Sequence, residues 1–194
     1  RAVVMQYLSD ALEAGRCACW VKNTVEDAIE TYRTISQQLP NADVLLFHAR
    51  FAMGDRIRIE QEVLKTFGKE SDMKIRRGKI LIATQVVEQS LDLDFDYMVT
   101  DLAPMDLIIQ RAGRLHRHNG SLKRGNRGAP RLIVFSPSVS ESPTDTWYSA
   151  LFPKAAYVYE NHGQLWLTAS LLSERKRITM PEDARLLIEG TFGE

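Results

Sequence analysis

Hydrophobic positions gather in five short runs: "ACWV" (18–21), "VLLF" (44–47), "ILIA" (80–83), "YMVT" (97–100) and "LIVF" (132–135). Each is nearly continuous, without polar alternation, as expected of central parallel strands covered on both faces. Helical spacing separates several of them. Val25, Ala28, Ile29, Tyr32, Ile35 and Leu39 repeat along one face. Thr24 can cap that helix, with Glu26 and Asp27 in its first turn, and Pro40 and Asn41 end it. A second helix is predicted from about Met53 to Phe67, with Gly68 as a stop signal. A third is predicted to start at Asp106, an N-cap after Pro104. The alternation predicts an α/β fold, a parallel sheet flanked by helices. In such sheets ligands gather at the carboxyl ends of the strands. Beyond Ser136 the pattern changes. "SPSVSESPTD" reads as a linker or surface loop, followed by helical segments near 163–175 and 181–189. Pro181 fits the first turn of the last helix and Gly190 its end. The expected organisation is a domain over 1–136 and a linker with a short helical C-terminal extension over 137–194.

Composition narrows the class. The chain has 194 residues, 44% hydrophobic and 26% charged, with a net charge of zero. That excludes a wholly basic nucleic-acid binder but leaves room for a local basic site. No apolar run approaches the roughly 18 residues a membrane span needs. No secretory hydrophobic region follows the start, so the expected location is cytoplasmic. The first residue is Arg1, so a piece of something longer is expected. Cys17 and Cys19 lie two apart on a strand, on the same face, and cannot easily bond to each other. They read as buried small apolar side chains in a reducing compartment. Two cysteines and four scattered histidines are too few for a metal site, and none is predicted.

Charge is distributed unevenly. From Gln85 to Gln110 there are six acidic residues and no basic ones; from Leu107 to Ser140 there are seven Lys or Arg and no acid. The basic stretch opens on "QRAGRLHRH" (110–118) and continues into a glycine-rich basic loop over 119–130. Placed on a helix at about 100° per residue with Gln110 at zero, Arg114 falls near ~40° and Arg117 near ~340°. Ile108, Ala112 and Leu115 fall on the opposite side, between roughly 140° and 200°, and Arg111 sits at the margin, near ~100°. This predicts one apolar face on the sheet and one face presenting an amide and two guanidinium groups. Gly113 would lie mid-helix, where glycine is unfavourable and suggests close approach by something. Arginine suits a phosphate oxyanion because its planar fork donates several hydrogen bonds and stays charged. The plain alternative is a solvated face pairing with nearby acids.

The upstream segment, "ILIATQVVEQSLDLDFDYMVTDLAP" (80–104), tips the balance. Thr84 and Gln85 stand at the carboxyl end of a buried strand. A hydroxyl there, with nearby backbone amides, can hold a nucleic-acid phosphate without sequence preference. Asp92 and Asp94 are short acceptors that can reach a ribose hydroxyl or brace an arginine. Helix capping for Thr84 and a turn for Asp92 are the plain readings.

Together the two segments resemble the second RecA-like domain of superfamily 2 helicases. "ATQVVEQSLD" is similar to that family's motif V, and "QRAGRLHR" to motif VI, with Gln110, Arg111, Gly113, Arg114 and Arg117 at its five fixed positions. The resemblance covers about residues 17–136. It implies that Arg114 and Arg117 are arginine fingers for the ATP γ-phosphate. Gln110 would contact that phosphate or position the attacking water. Asp92 would touch the ribose or the motif VI arginines, and Thr84, with Gln85 beside it, the strand backbone. Asn23 and Thr24 resemble motif IV, and "FHARF" (47–51) makes His48 and Arg50 candidate strand contacts; a surface role for Arg50 is equally open. "VVEQSLDLDFDYMVTDLAPMDLIIQRAGRLHRH" resembles more narrowly the CRISPR-associated helicase-nuclease of type I systems, as does the tail "MPEDARLLIEGTFGE". That resemblance implies ATP with Mg2+, single-stranded DNA, 3′ to 5′ movement, a nuclease elsewhere in the parent, and recruitment by an RNA-guided surveillance complex.

Several parts of a complete motor are missing from the sequence. No G-x-x-x-x-G-K-[ST] loop is present to cradle phosphates. There is no Asp-Glu-x-His or Asp-Glu-Ala-Asp box, and no His-Asp dipeptide of the kind the nuclease needs. The expectation is a second motor domain that works with a first RecA-like domain and is inactive alone. The alternatives are the corresponding domain of a DEAH-type RNA helicase, which shares "QRAGR", and a non-catalytic RecA-like binding module.

Overall fold

The structure is a computed structural model and describes residues 2–88, 91–118, 123 and 125–193. Five strands form one sheet: β1 (Ala18–Val21), β2 (Asp43–Phe47), β3 (Lys79–Ala83), β4 (Tyr97–Asp101) and β5 (Leu132–Phe135). The strand order is β2-β3-β1-β4-β5. β1 runs parallel to β3 and to β4, and β2 parallel to β3, so Phe47, Val21 and Thr100 come level with Ala83 or its neighbour across the sheet. All five observed strands coincide with the predicted runs to within a residue at each end.

The helices are α1 (Ala2–Glu13), α2 (Val25–Gln38), α3 (Met53–Phe67), α4 (Met73–Arg76), α5 (Met105–Ala112), α6 (His162–Arg175) and α7 (Ala184–Phe192). Thr24 caps α2 as expected, accepting from the Asp27 amide. Gly68 ends α3, where a Cβ would lie 2.3 Å from the Leu64 carbonyl oxygen. On one sheet face Cys19, Val21, Leu45, Phe47, Leu81, Ala83 and Met98 join Val63 and Phe67 of α3 in a buried cluster. Tyr97 alternates with Met98 and so points to the other face. There its ring meets Tyr7 of α1 at 4.8 Å.

Three expectations about helices are corrected. Asp106 lies in the first turn of α5, which begins at Met105, and the Pro104 carbonyl accepts the Leu107 and Ile108 amides. α7 begins at Ala184, three residues beyond Pro181, and runs through Gly190 to Phe192. Finally, α5 ends at Ala112, so Gly113, Arg114 and Arg117 lie beyond the helix and not on its face.

The chain divides into two compact units, Arg1–Asp101 with Gln110–Val134, and Leu102–Ile109 with Phe135–Glu194. The first carries most of the sheet. The second has its own buried centre at Tyr148, whose hydroxyl donates to the Leu102 carbonyl at 3.1 Å and whose ring packs on Phe152. Phe152 in turn meets Phe135 edge-on.

Candidate nucleotide and strand site

The parallel register brings Lys22, Asn23, His48, Thr84 and Asp101 to the same edge of the sheet, at the carboxyl ends of the strands. All five are buried. The Gln85 side-chain amide donates to the Asn23 carbonyl at 2.9 Å, joining the turns after β1 and β3. Lys22 Nζ and Trp20 Nε1 both donate to Asp101 Oδ1, at 2.9 and 3.0 Å. Burial pushes the Asp101 carboxyl above its usual range, against the pull of Lys22.

Arg111 is the centre of this edge. The helical wheel puts it at the margin; in the structure it is fully buried. Its Nε donates to Glu88 Oε1 at 2.6 Å. Its Nη1 reaches Asn23 Oδ1 at 3.2 Å, Thr100 Oγ1 at 2.7 Å and the Asp101 carbonyl at 3.1 Å. One side chain therefore ties the end of α5 to the ends of β1 and β4 and to the segment after β3. Neither Glu88 nor Arg111 stands out in the sequence for this role. The opposite charges of the two segments are the signal that would have found them.

After Ala112 the chain turns. The Arg114 amide donates to the Arg111 carbonyl and that of Leu115 to Ala112. The segment then bridges to Phe95: the Phe95 amide donates to the Arg114 carbonyl at 2.9 Å and the His116 amide to the Phe95 carbonyl at 3.0 Å. His116 takes φ +53°, the left-handed region. Gln110 is exposed on the last turn of α5.

The two remaining arginines have different surroundings. Arg117 Nε donates to Asp92 Oδ1 at 2.7 Å, and His118 Nε2 lies 3.1 Å from the same oxygen. Partial burial of Asp92 is outweighed by these contacts, which hold its carboxyl below the usual range. Arg114 is half-buried, and its Nη2 donates to the Glu88 carbonyl at 2.9 Å. Among the described residues no carboxylate forms an ion pair with Arg114, and its Nε is buried without a partner. Burial and the neighbouring Arg117 lower its pKa, but a guanidinium stays charged. A partly desolvated guanidinium with no carboxylate in direct contact suits an incoming oxyanion, although Asp92 and Glu88 lie near enough to favour its charge.

The other expected strand contacts are partly engaged. The Thr24 hydroxyl caps α2 and donates to Asp27 Oδ2 at 2.7 Å. His48 Nδ1 accepts the Arg50 amide at 3.2 Å, and its ring stacks on Phe51 at 4.0 Å. Burial, then Arg50, lowers the His48 pKa. Arg50 is exposed and pairs with Glu26. Thr84 precedes a single 3-10 turn (Gln85–Val87) without capping it by its side chain. Gln89 and Ser90 of the upstream segment lie outside the described residues, as does most of 119–124. Among the described residues no group of three or more His, Cys, Asp or Glu is placed to hold a metal ion, and no helix is long and apolar enough to cross a membrane.

A parallel sheet with polar turns at its carboxyl edge and an arginine segment tied to that edge defines a RecA-like helicase C-terminal domain. Residues 14–120 match the model for the C-terminal part of the CRISPR-associated nuclease/helicase Cas3. The chain belongs to that family. It is 34% identical over 173 residues to the CRISPR-associated endonuclease/helicase Cas3 of Escherichia coli strain K12, covering 88% of this chain and 18% of the relative. It is 42% identical over 152 residues to that of Thermus thermophilus, covering 77% and 15%. The crystal structure of T. fusca Cas3 with ATP aligns over 100% of this chain and 22% of that one, at TM-score 0.85 and 34% identity. A chain in a pre-nicking CRISPR RNA-guided surveillance complex aligns at TM-score 0.75 and 32% identity, over 100% of this chain and 23% of that one. The chain thus spans less than a fifth of the length of these two curated relatives.

Proposed function

We propose that this chain is the second motor domain of an ATP-driven, 3′ to 5′ single-stranded DNA translocase acting in CRISPR interference, with the nuclease elsewhere in the parent. Residues 1–136 are the motor domain and 137–194 its helical extension. The partners are a first RecA-like domain, single-stranded DNA, and an RNA-guided surveillance complex that recruits the whole protein inside the cell. The observation that carries this reading is Arg114. It is the one arginine of the Gln-Arg-any-Gly-Arg-any-any-Arg segment without a carboxylate partner among the described residues.

ATP supplies the phosphoanhydride whose cleavage drives movement. Arg114 would donate to γ-phosphate oxygens and stabilise the charge that develops there. Arg117 joins it by exchanging Asp92 for phosphate, and exposed Gln110 orients the attacking water. Asp92 is then available to the ribose. Magnesium would be held by the first domain. Asn23, Thr24, His48, Arg50, Thr84 and Gln85 line the strand path and grip the phosphate backbone, so base preference is weak. Without the first domain the piece neither hydrolyses ATP nor moves.

The test is ATP turnover by the full-length protein with single-stranded DNA and with RNA, comparing wild type with Arg114→Ala and Arg117→Ala. A loss of about a hundredfold or more in both, on DNA, is expected from removal of fingers. Unchanged turnover in folded variants refutes the assignment, and stimulation by RNA alone moves the protein to the RNA helicases.

A further inference from the structure

A buried charge cluster lies at the amino edge of the sheet, at the opposite end of the strands from the Arg111 network. Asp94 and Asp96 flank Phe95. Arg127 Nη1 donates to Asp94 Oδ1 at 2.8 Å and to Asp96 Oδ1 at 3.1 Å. Arg76 lies 3.5 Å from Asp94 Oδ2 and 3.4 Å from Asp96 Oδ2, and also donates to the Asp94 carbonyl. These four side chains are at most 3% exposed. Asp96 Oδ2 also accepts the Cys17 amide at 3.1 Å, just before β1. Two guanidinium groups thus balance two carboxylates and fix them to the sheet.

Such a cluster is a poor source of stability, because well-packed apolar side chains often do as well in its place. It does fix a geometry. What it fixes is the backbone of Phe95, clamped on both sides. Phe95 is the residue that holds the Arg114–His116 segment through two backbone hydrogen bonds. A third tie runs directly from the cluster: His116 Nε2 lies 2.9 Å from the Asp96 carbonyl. Arg114 and Arg117 lie beyond the end of α5, so helical geometry does not place them. These ties do.

We propose that Arg76, Arg127, Asp94 and Asp96, acting through Phe95 and His116, are positioning residues for Arg114 and Arg117. The proposal rests on the phosphate role given to those arginines above. Arg127 lies beyond residue 120, where the family match ends.

The test is a double-variant cycle in the full-length protein. ATP turnover on single-stranded DNA, KM for ATP and DNA affinity are measured for Arg127→Met, Arg127→Lys and His116→Asn, each with Arg114 intact and with Arg114→Ala. His116→Asn removes one tie only, and asparagine tolerates the left-handed backbone, so it remains informative if Arg127→Met fails to fold. With Arg114 intact, His116→Asn and Arg127→Met are expected to lower kcat about tenfold, within the ~10²-fold that a 1 Å misplacement can cost. DNA affinity stays level, and Arg127→Lys recovers part of the loss. In the Arg114→Ala background the same changes lower kcat by less, because only Arg117 remains to be misplaced. Full kcat in His116→Asn, or equal losses in both backgrounds, overturns the proposal, since a loss of folded protein multiplies through either background. If Arg114→Ala alone leaves turnover unchanged, the functional reading falls first.

Discussion

Replacing Arg111 by methionine should be the most damaging single change at the carboxyl edge of the sheet. The substitution roughly preserves the volume and removes the charge. Glu88, whose side chain is 4% exposed, then loses its ion pair with Arg111. Removing one member of a buried ion pair costs about 3–5 kcal/mol. Asn23, Thr100 and the Asp101 carbonyl also lose a donor. A loss of ~4 kcal/mol is a large part of the ~5–15 kcal/mol that holds a domain together. For a chain of this size it corresponds to a fall in Tm of roughly 8–16 °C. Trp20 is a suitable reporter, because it is buried and its indole donates to Asp101 within the same network. Urea unfolding followed by Trp20 fluorescence, with Trp147 and Trp166 changed to phenylalanine, reads the loss directly. Arg111→Met combined with Glu88→Met removes the buried carboxylate as well and should recover at least half of the lost stability. A single variant within ~1 kcal/mol of the parent, or a double variant no better than the single, would refute the view that Arg111 is held by a buried pair.

Other outcomes follow from the same surroundings. Folded-state burial lowers the pKa values of His48 and His116, so the unfolded chain binds their protons more readily. Their contribution is therefore constant above about pH 6.5 and is lost as pH falls from there through the folded-state values. Replacing either by glutamine should flatten that acid dependence in unfolding experiments between pH 7 and 5. The Cys17 thiol, pushed up to about 12 by burial, should resist iodoacetamide at pH 8 until the protein is unfolded. Asp92 should titrate below an ordinary aspartate by carboxyl NMR, and Arg117→Ala should move it upward. Its pairing with Arg117 therefore persists through neutral pH and fails only as pH falls through the lowered value. Gly68→Ala should destabilise the end of α3, because the added methyl meets the Leu64 carbonyl oxygen.

The strands were readable because a strand buried on both faces must be apolar throughout, and a turn must interrupt it. α3 was readable for a related reason, with Gly68 where only glycine avoids its own helix. α1 was not among the predicted helices, although Val4, Tyr7, Leu8 and Ala11 carry a helical repeat and are the residues it buries. The arginine segment was not. Continuing the helix past Ala112 is the natural reading of "QRAGRLHRH", because its apolar and basic positions keep a helical period. What ends the helix is the bridge to Phe95, some twenty residues upstream, with His116 in a left-handed conformation. A contact of that kind leaves no local trace in the sequence.

The uneven charge was legible, but its meaning was not. The acidic stretch and the basic stretch fold onto each other: Glu88 takes Arg111, Asp92 takes Arg117, and Asp94 with Asp96 takes Arg127. The plain expectation of arginines pairing with nearby acids therefore holds for two of the motif's three. That outcome sharpens the functional argument instead of weakening it. A pair buried like Arg111–Glu88 has its charge satisfied and cannot turn to a phosphate without stranding a carboxylate. A pair half-exposed like Arg117–Asp92 can exchange partners at small cost, since exposed ion pairs are worth about 0–1 kcal/mol. Arg114 has no carboxylate to give up. Burial, pairing and exposure thus rank the three arginines by readiness to receive an oxyanion, with Arg114 first, Arg117 next and Arg111 last. The motif resemblance names Arg114 and Arg117 for that task and leaves Arg111 out. Turnover of the Arg114→Ala and Arg117→Ala variants is the test of that assignment.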